Sequence, residues 1–301
     1  MNGTPLYQDL FTQLAATLKT LPDKPEETVE STLRALWQTA AGTPMSAELA
    51  LTRNLPVLNP QQEGALRDLL ARRIAGTPLA HLTGRQRFMD MEMLAGPDAL
   101  VPRKETELLA RAAIELCIHV GAQQHALTVL DVCTGSGNVA LAIAQHVAAA
   151  RVHAADLSEA AVALARRNAA HLELSARAEF RSGDLLAPFD NTEFHGYVDV
   201  LTCNPPYINS AKVSQMANEI AAHEPQLAFD GGPFGIAVLM RLLEAAPRFL
   251  RPGGWLAFEV GLGQGPALMK RLRKTPAFGE LRGVQDDTGA LRAILAQRAA
   301  A

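Results

Sequence analysis

The stretch "VLDVCTGSGNVALAIA", residues 129–144, runs from an apolar segment through a glycine-rich turn into an alanine-rich helical pattern. Val129, Leu130 and Val132 read as a buried strand, and Val139 to Ala144 as a helix. Gly135 and Gly137 let backbone N–H groups come close to a ligand at a helix N-terminus. Strand, glycine turn and helix in succession open a doubly wound α/β unit. The turn reads D-x-C-T-G-S-G. It lacks the G-K-[ST] ending of a phosphate-gripping loop and a complete G-x-G-x-x-G, so ATP and dinucleotides are poorly suited. Asp131, at the strand end, repels an anionic ligand and attracts a cationic amino group.

Working outward, the same grammar repeats. "RVHAADL", "AEFRSGD", "YVDVLTC" and "GWLAFEV" are short apolar strands, and "SEAAVALARRNAAHL" and "NVALAIAQHVAAA" are helices between the earlier ones. Such alternation predicts a mostly parallel sheet with helices on both faces. The tail "RGVQDDTGALRAILAQR" is expected to close it with an antiparallel hairpin. Upstream, the pattern is helical. "LYQDLFTQLAATL" places Leu6, Leu10, Phe11, Leu14 and Leu18 on one stripe, and "EETVESTLRALWQTA" does so with Val29, Leu33, Leu36 and Trp37. Glu26 and Glu27 suit the first turn of that second helix. "SAELALTR" and "QQEGALRDLLARRIAG" give two more helices, the last ending at Gly76 behind Arg72 and Arg73. "RQRFMDMEMLAGPDALV", an alternation broken by Gly96-Pro97-Asp98, reads as a short β-hairpin. The organisation expected is a helical bundle over 1–84, a hairpin linker over 85–106 and an α/β domain over 107–301.

Composition bounds the function. Net charge is −3 over 301 residues, with 48% hydrophobic and 20% charged. No global positive field draws the chain to nucleic acid or an anionic membrane. Cys117, Cys133 and Cys203 lack disulfide or zinc spacing, which suits a reducing cytoplasm and no metal. No signal peptide or membrane-length apolar run is visible.

Two further acids fall at strand ends. Asp156, 25 residues after Asp131, sits where an acid accepts from ribose hydroxyls. Asp184 follows the third strand, where it can accept from an exocyclic amine. Each alone is more simply a helix cap, and Asp156 before Leu157-Ser158-Glu159 has that look. Three in register beside a glycine turn favour S-adenosylmethionine over any phosphorylated nucleotide. At the fourth strand end stands Asn204-Pro205-Pro206-Tyr207, in which two prolines stop the strand and stiffen the turn.

Together these motifs resemble the class I S-adenosylmethionine-dependent methyltransferases with a [DNS]-P-P-[YFW] clamp for planar amino groups. "GTPLAHLTGRQRFMDMEM", "LVPRKETELLARAAI", "NEIAAHEPQLAFDGGPFGIAVLMRLL", "LRPGGWLAFEVGLGQG" and "DDTGALRAILAQR" are similar to the HemK-like release-factor glutamine methyltransferases, over roughly residues 70–298. The resemblance implies a Rossmann-like catalytic domain with an N-terminal substrate-docking bundle. It implies cofactor binding by Asp131, Val132, Cys133, Thr134, Gly135 and Gly137, with Asp156 and Leu157 at the ribose, and Asp184 and Leu185 at the adenine. Asn204, beside the cofactor, together with Pro205, Pro206 and Tyr207, would hold the glutamine amide. Arg103, Glu105 and Thr106 would lie on the substrate side, and Glu224 and Pro225 would shape the pocket. The implied partner is a peptide chain release factor bearing a Gly-Gly-Gln loop, with no nucleic acid or membrane.

Three positions depart from the family pattern: Lys104 replaces a proline, Cys133 a glycine and His81 a tyrosine. Cys133 reads as a small buried residue rather than a nucleophile. Lys104 adds charge at the substrate mouth. The departures keep open a paralogue acting on a small-molecule or amino-acid nitrogen, or on a ribosomal-protein glutamine. A base methyltransferase is disfavoured by the charge, and a non-catalytic binding module by the intact clamp.

Overall fold

Three polar caps start the N-terminal helices. Thr4 accepts from the Tyr7 amide at the head of α1 (Pro5–Ala15), and Thr28 from the Ser31 amide at the head of α2 (Val29–Ala40). Asn59 and Gln62 bond reciprocally to each other's backbone at the head of α4 (Pro60–Ile74), after the short α3 (Ala47–Leu51). Each cap satisfies amides that the helix leaves orphaned, worth about 1 kcal/mol. The computed structural model describes residues 4–121, 126–213 and 223–300. These form two units, one running to Lys104 and including Glu224, the other starting at Glu105.

In the first unit Leu10, Leu14, Leu33, Leu36, Trp37, Leu66 and Leu70 pack with α5 (Leu79–Thr83) into one core. The expected stripe of α1 is rotated slightly. Tyr7 is buried with Leu10 and Leu14, Phe11 is 36% exposed, and Leu18 lies beyond the helix end. Glu26 and Glu27 precede the Thr28 cap rather than filling the first turn. Glu27 instead forms a buried ion pair with Arg73 at 2.8 Å. The hairpin pairs β1 (Arg85–Phe88) with β2 (Met91–Leu94), so its turn is Met89-Asp90, not the Gly96-Pro97-Asp98 segment that follows β2.

The second unit begins with α6 (Thr106–Gly121) and is built on a seven-stranded sheet. Its strands are β3 (Leu127–Val132), β4 (Ala150–Asp156), β5 (Ala178–Ser182), β6 (Val198–Cys203), β7 (Leu250–Glu259), β8 (Phe278–Gln285) and β9 (Leu291–Arg298), in the order β5-β4-β3-β6-β7-β9-β8. The first five pair in parallel, and β9 runs antiparallel to both β7 and β8, as the tail's hairpin reading expects. Between strands lie α7 (Asn138–His146) and α8 (Glu159–His171). α7 stops short of the expected alanine run because Val147 turns extended. Parallel strands buried on both faces read as continuous apolar runs, and β6 is buried at all six positions. Of the HemK-like segment opening at Asn218, residues 218–222 lie outside the described residues.

Candidate active site

β3 is flanked by β4 on one side and β6 on the other, so the chain reverses its direction of winding there. In open α/β sheets such a switch point opens a crevice at the carboxyl ends of the strands. All of Asp131, Asp156, Asp184 and Asn204 belong to that edge.

The glycine turn is held from below by side chains. Asp131, 1% exposed, accepts from the Thr134 hydroxyl and from the Thr202 hydroxyl of β6, each at 2.6 Å. Burial pushes its carboxyl up to about 6, against those two bonds. Asp131 is thus an anchor beneath the turn, with both oxygens engaged. Asp156 uses one oxygen to accept the Gly135 amide at 2.8 Å and the other for the Ser158 amide at 2.9 Å. Ser158 itself caps α8, so the cap reading of this acid describes part of what it does. Buried Asn168 donates to the Ser136 carbonyl at 3.0 Å and ties α8 to the turn.

The two glycines differ in kind. Both have positive φ, +55° at Gly135 and +84° at Gly137. A Cβ on Gly137 would meet Phe180, Ala165 and Leu141 at 3.0–3.2 Å, whereas one on Gly135 would meet nothing within 4 Å. Gly137 allows helix packing; Gly135 faces open space. Cys133 also has φ +55°, a left-handed conformation that explains why glycine is usual there. Burial and the adjacent Cys133 hold the Cys203 thiol well above its ordinary pKa, so Cys203 reads as a packing group. Cys133, expected to be buried, is half-buried and packs against the core. Val132 is fully buried and can offer only backbone. Leu157 is 56% exposed, Leu185 is buried with φ +48°, and the Asp184 carboxylate is 2.5 Å from Arg241.

The second cluster surrounds the proline pair. Asn204 donates Nδ2 to the Thr106 hydroxyl at 3.1 Å, and its Oδ1 accepts from no group among the described residues. Loop 229–235 lies backbone to backbone against the segment 206–208. Ile208 donates to Phe229, Gly231 donates to Ile208, and Gln264 donates to the carbonyls of Tyr207 and Gly235. A Cβ on Gly231 would stand 2.5 Å from the Pro206 carbonyl, and one on Gly235 would collide with the Tyr207 carbonyl. Burial, then Glu259 and Glu105, raise the Tyr207 phenol well above its ordinary pKa. A cavity of 490 Å³ opens beside Tyr207, walled by Glu105, Asn209, Phe234, Leu262 and Arg292. Phe234 and Leu262 are 80% and 70% exposed at its rim.

Of the residues expected on the substrate side, Glu105 and Thr106 join this cluster. Arg103 belongs to the first unit, where it is 7% exposed and pairs with Glu224 at 2.6 Å and Asp23 at 3.0 Å. Glu224 also accepts the Val101 amide at 2.9 Å. Lys104 pairs with Glu48 at 2.9 Å. His81 is held below its ordinary pKa, chiefly by burial. Sequence reading missed Thr202, Asn168, Glu259 and Gln264. Thr202 and Glu259 carried a usable signal, a polar residue inside an apolar strand.

The chemistry of the donor set fits a nucleoside with a cationic side chain. Acids and hydroxyls surround the turn, and Thr134 to Gly137 include no cation that would grip a phosphate.

A methyltransferase domain family model matches residues 129–223. The release factor glutamine methyltransferase of Moorella thermoacetica is 38% identical over 241 residues, covering 80% of this chain and 82% of that one. That of Geobacter sulfurreducens is 35% identical over 237 residues, 79% of each. Among solved structures, the human hMettl16 catalytic domain with a MAT2A 3′UTR hairpin aligns at TM-score 0.54 and 13% identity. It covers 76% of this chain and 81% of that one, a likeness of fold.

Proposed function

Because the chain belongs to the release factor glutamine methyltransferase family, we propose that it methylates the side-chain amide nitrogen of a glutamine in the Gly-Gly-Gln loop of a peptide chain release factor. S-adenosylmethionine, when bound, supplies an electrophilic methyl group on a sulfonium. In this reading the 133–137 turn and Asp156 hold it, Asp156 toward the ribose, with Leu157, Asp184 and Leu185 toward the adenine. Asp131 acts beneath the turn.

An amide nitrogen is a weak nucleophile, since its lone pair is delocalised into the carbonyl. Asn204 Oδ1 and the Pro205 carbonyl each accept one N–H of the substrate amide. They hold its plane and stabilise the positive charge that develops on nitrogen. The fixed φ of Pro205 and Pro206 keeps those acceptors in place before substrate arrives. Tyr207 packs against the planar group, and the exposed Phe234 and Leu262 receive residues flanking the glutamine. The helical unit over 1–84, with the hairpin linker, docks the rest of the release factor. Cytoplasmic placement follows from that partner; among the described residues no helix is long and apolar enough to cross a membrane.

The observation that carries this reading is Asn204, whose Nδ2 is committed to Thr106 while its Oδ1 is left to accept. Lys104, the departure that pointed to another acceptor, has its charge paired with Glu48. Incubation with methyl-labelled cofactor and a release factor tests the proposal. Label should enter the intact factor, and a Gln→Ala change in its loop should abolish incorporation. Unlabelled intact factor would sink it.

A further inference from the structure

We propose that Glu259 is a positioning residue that, through the Thr106 hydroxyl, sets the Asn204 amide with Oδ1 facing the substrate nitrogen. The inference rests on the clamp reading above and adds the group that gives the clamp its polarity.

The parallel register pairs Cys203 of β6 with Phe258 of β7, so Asn204 and Glu259 leave adjacent strand ends side by side. Glu259 is 1% exposed. As the side chains lie, neither of its oxygens has a hydrogen-bond partner, an expensive state for a buried carboxylate that a small shift toward a neighbouring donor relieves. The donors beside it are the hydroxyls of Thr106, at the start of α6, and Tyr207, just past β6. The charged groups facing it are Glu105 from the head of α6 and Arg292 from β9, themselves 3.4 Å apart.

A threonine hydroxyl carries one proton and can rotate it. Directed at the Glu259 carboxylate, it leaves only lone pairs for Asn204, and the amide must turn Nδ2 toward Thr106, as it does at 3.1 Å. Oδ1 then faces outward and can accept an N–H from the substrate. Were the proton directed at Asn204 instead, the amide would reverse and present NH₂ to the substrate's own NH₂. Two donors would meet, and the clamp would fail. An ionised Glu259 selects the productive arrangement, while a protonated one can donate to Thr106 and release the hydroxyl proton toward Asn204. Burial pushes the Glu259 carboxyl up to about 7, which brings this exchange into the working range. The single-turnover rate should therefore fall as pH drops through about 7.

The test is the pH profile of single-turnover methylation of a release factor, at saturating cofactor, for the wild type, Glu259→Gln, Thr106→Val and Thr106→Ser. Gln cannot titrate, so Glu259→Gln should lose the acidic limb, with the plateau lowered about tenfold. Thr106→Val should lower the plateau at least tenfold with cofactor affinity within threefold, and Thr106→Ser should return to within threefold of wild type. Retention of the limb by Glu259→Gln, or a wild-type rate in Thr106→Val, would overturn the assignment even if one variant failed to fold. Asn204→Ala separates the two claims. Its inactivity alongside either overturning result leaves the clamp standing without Glu259, whereas near-normal turnover removes the clamp and this inference together.

Discussion

Asp156 accepts the amide of Gly135 at 2.8 Å, across from β4 to the turn that follows β3. The acid read from sequence as a ribose partner is therefore also the lock on the glycine turn. Asp156→Ala loses the lock on the turn and, in the proposed reading, the ribose acceptor, and a hydrogen bond to a charged group contributes about 1.5–3 kcal/mol. Cofactor affinity by calorimetry should fall about 10- to 100-fold, while Asp156→Asn, which keeps an acceptor, should lose less. Equal losses in both variants would show that charge rather than turn geometry matters.

Gly235→Ala tests the backing of the clamp. The new methyl collides with the Tyr207 carbonyl, at a residue with φ +67°. The expected result is a rate loss of about tenfold or more with S-adenosylmethionine affinity within threefold, because in the proposed reading the displaced segment faces the substrate. Stability should fall by about 1–3 kcal/mol in urea unfolding. A change confined to cofactor affinity would contradict this geometry.

Arg103 is placed to hold structure. Removing it leaves Glu224, whose side chain is fully buried, without the guanidinium 2.6 Å away. Breaking a buried pair typically costs about 3–5 kcal/mol. Arg103→Ala should lower the melting temperature, and activity measured well below that temperature should recover substantially. Full stability with lost activity would return Arg103 to the substrate side.

Glu259 also gives stability a pH dependence. Its folded pKa is raised from 4.5 to about 7, so its stabilising contribution is whole below about pH 4.5 and is lost as pH rises through 7. At 1.36 kcal/mol per unit, the Glu259→Gln variant should gain about 3 kcal/mol on the wild type between pH 4 and 8. Urea unfolding of both proteins at the two pH values reads this difference, and a constant gap would mean the carboxyl is not shifted.

The sheet was legible because parallel strands bury both faces and announce themselves as apolar runs bounded by glycine and acid, as in "VLDVCTG". The bundle was legible in outline from its helical period, and the errors there were local. Phe11 carries the same hydrophobic signal as Tyr7, and only packing decides which one turns inward. Glu26 and Glu27 looked like first-turn acids because Thr28 as cap competes for the same place. The stiff turn of Asn204 to Tyr207 at a strand end was readable; its support was not. Gly235, Gln264 and Thr106 act through contacts between segments far apart in the chain, which neither period nor spacing encodes. Asp131 and Asp156 were found as acids at strand ends, but their hydrogen bonds to Thr202 and Gly135 needed coordinates.

The central claim is that Asn204 prepares a glutamine amide for methyl transfer, and mass spectrometry of the release-factor peptide carrying the Gly-Gly-Gln loop tests it most directly. After incubation with enzyme and S-adenosylmethionine, fragmentation should place one methyl group on the glutamine side-chain nitrogen, and Asn204→Ala should leave that peptide unmodified while still binding cofactor. A methyl group on any other residue, or full modification by Asn204→Ala, would contradict the account.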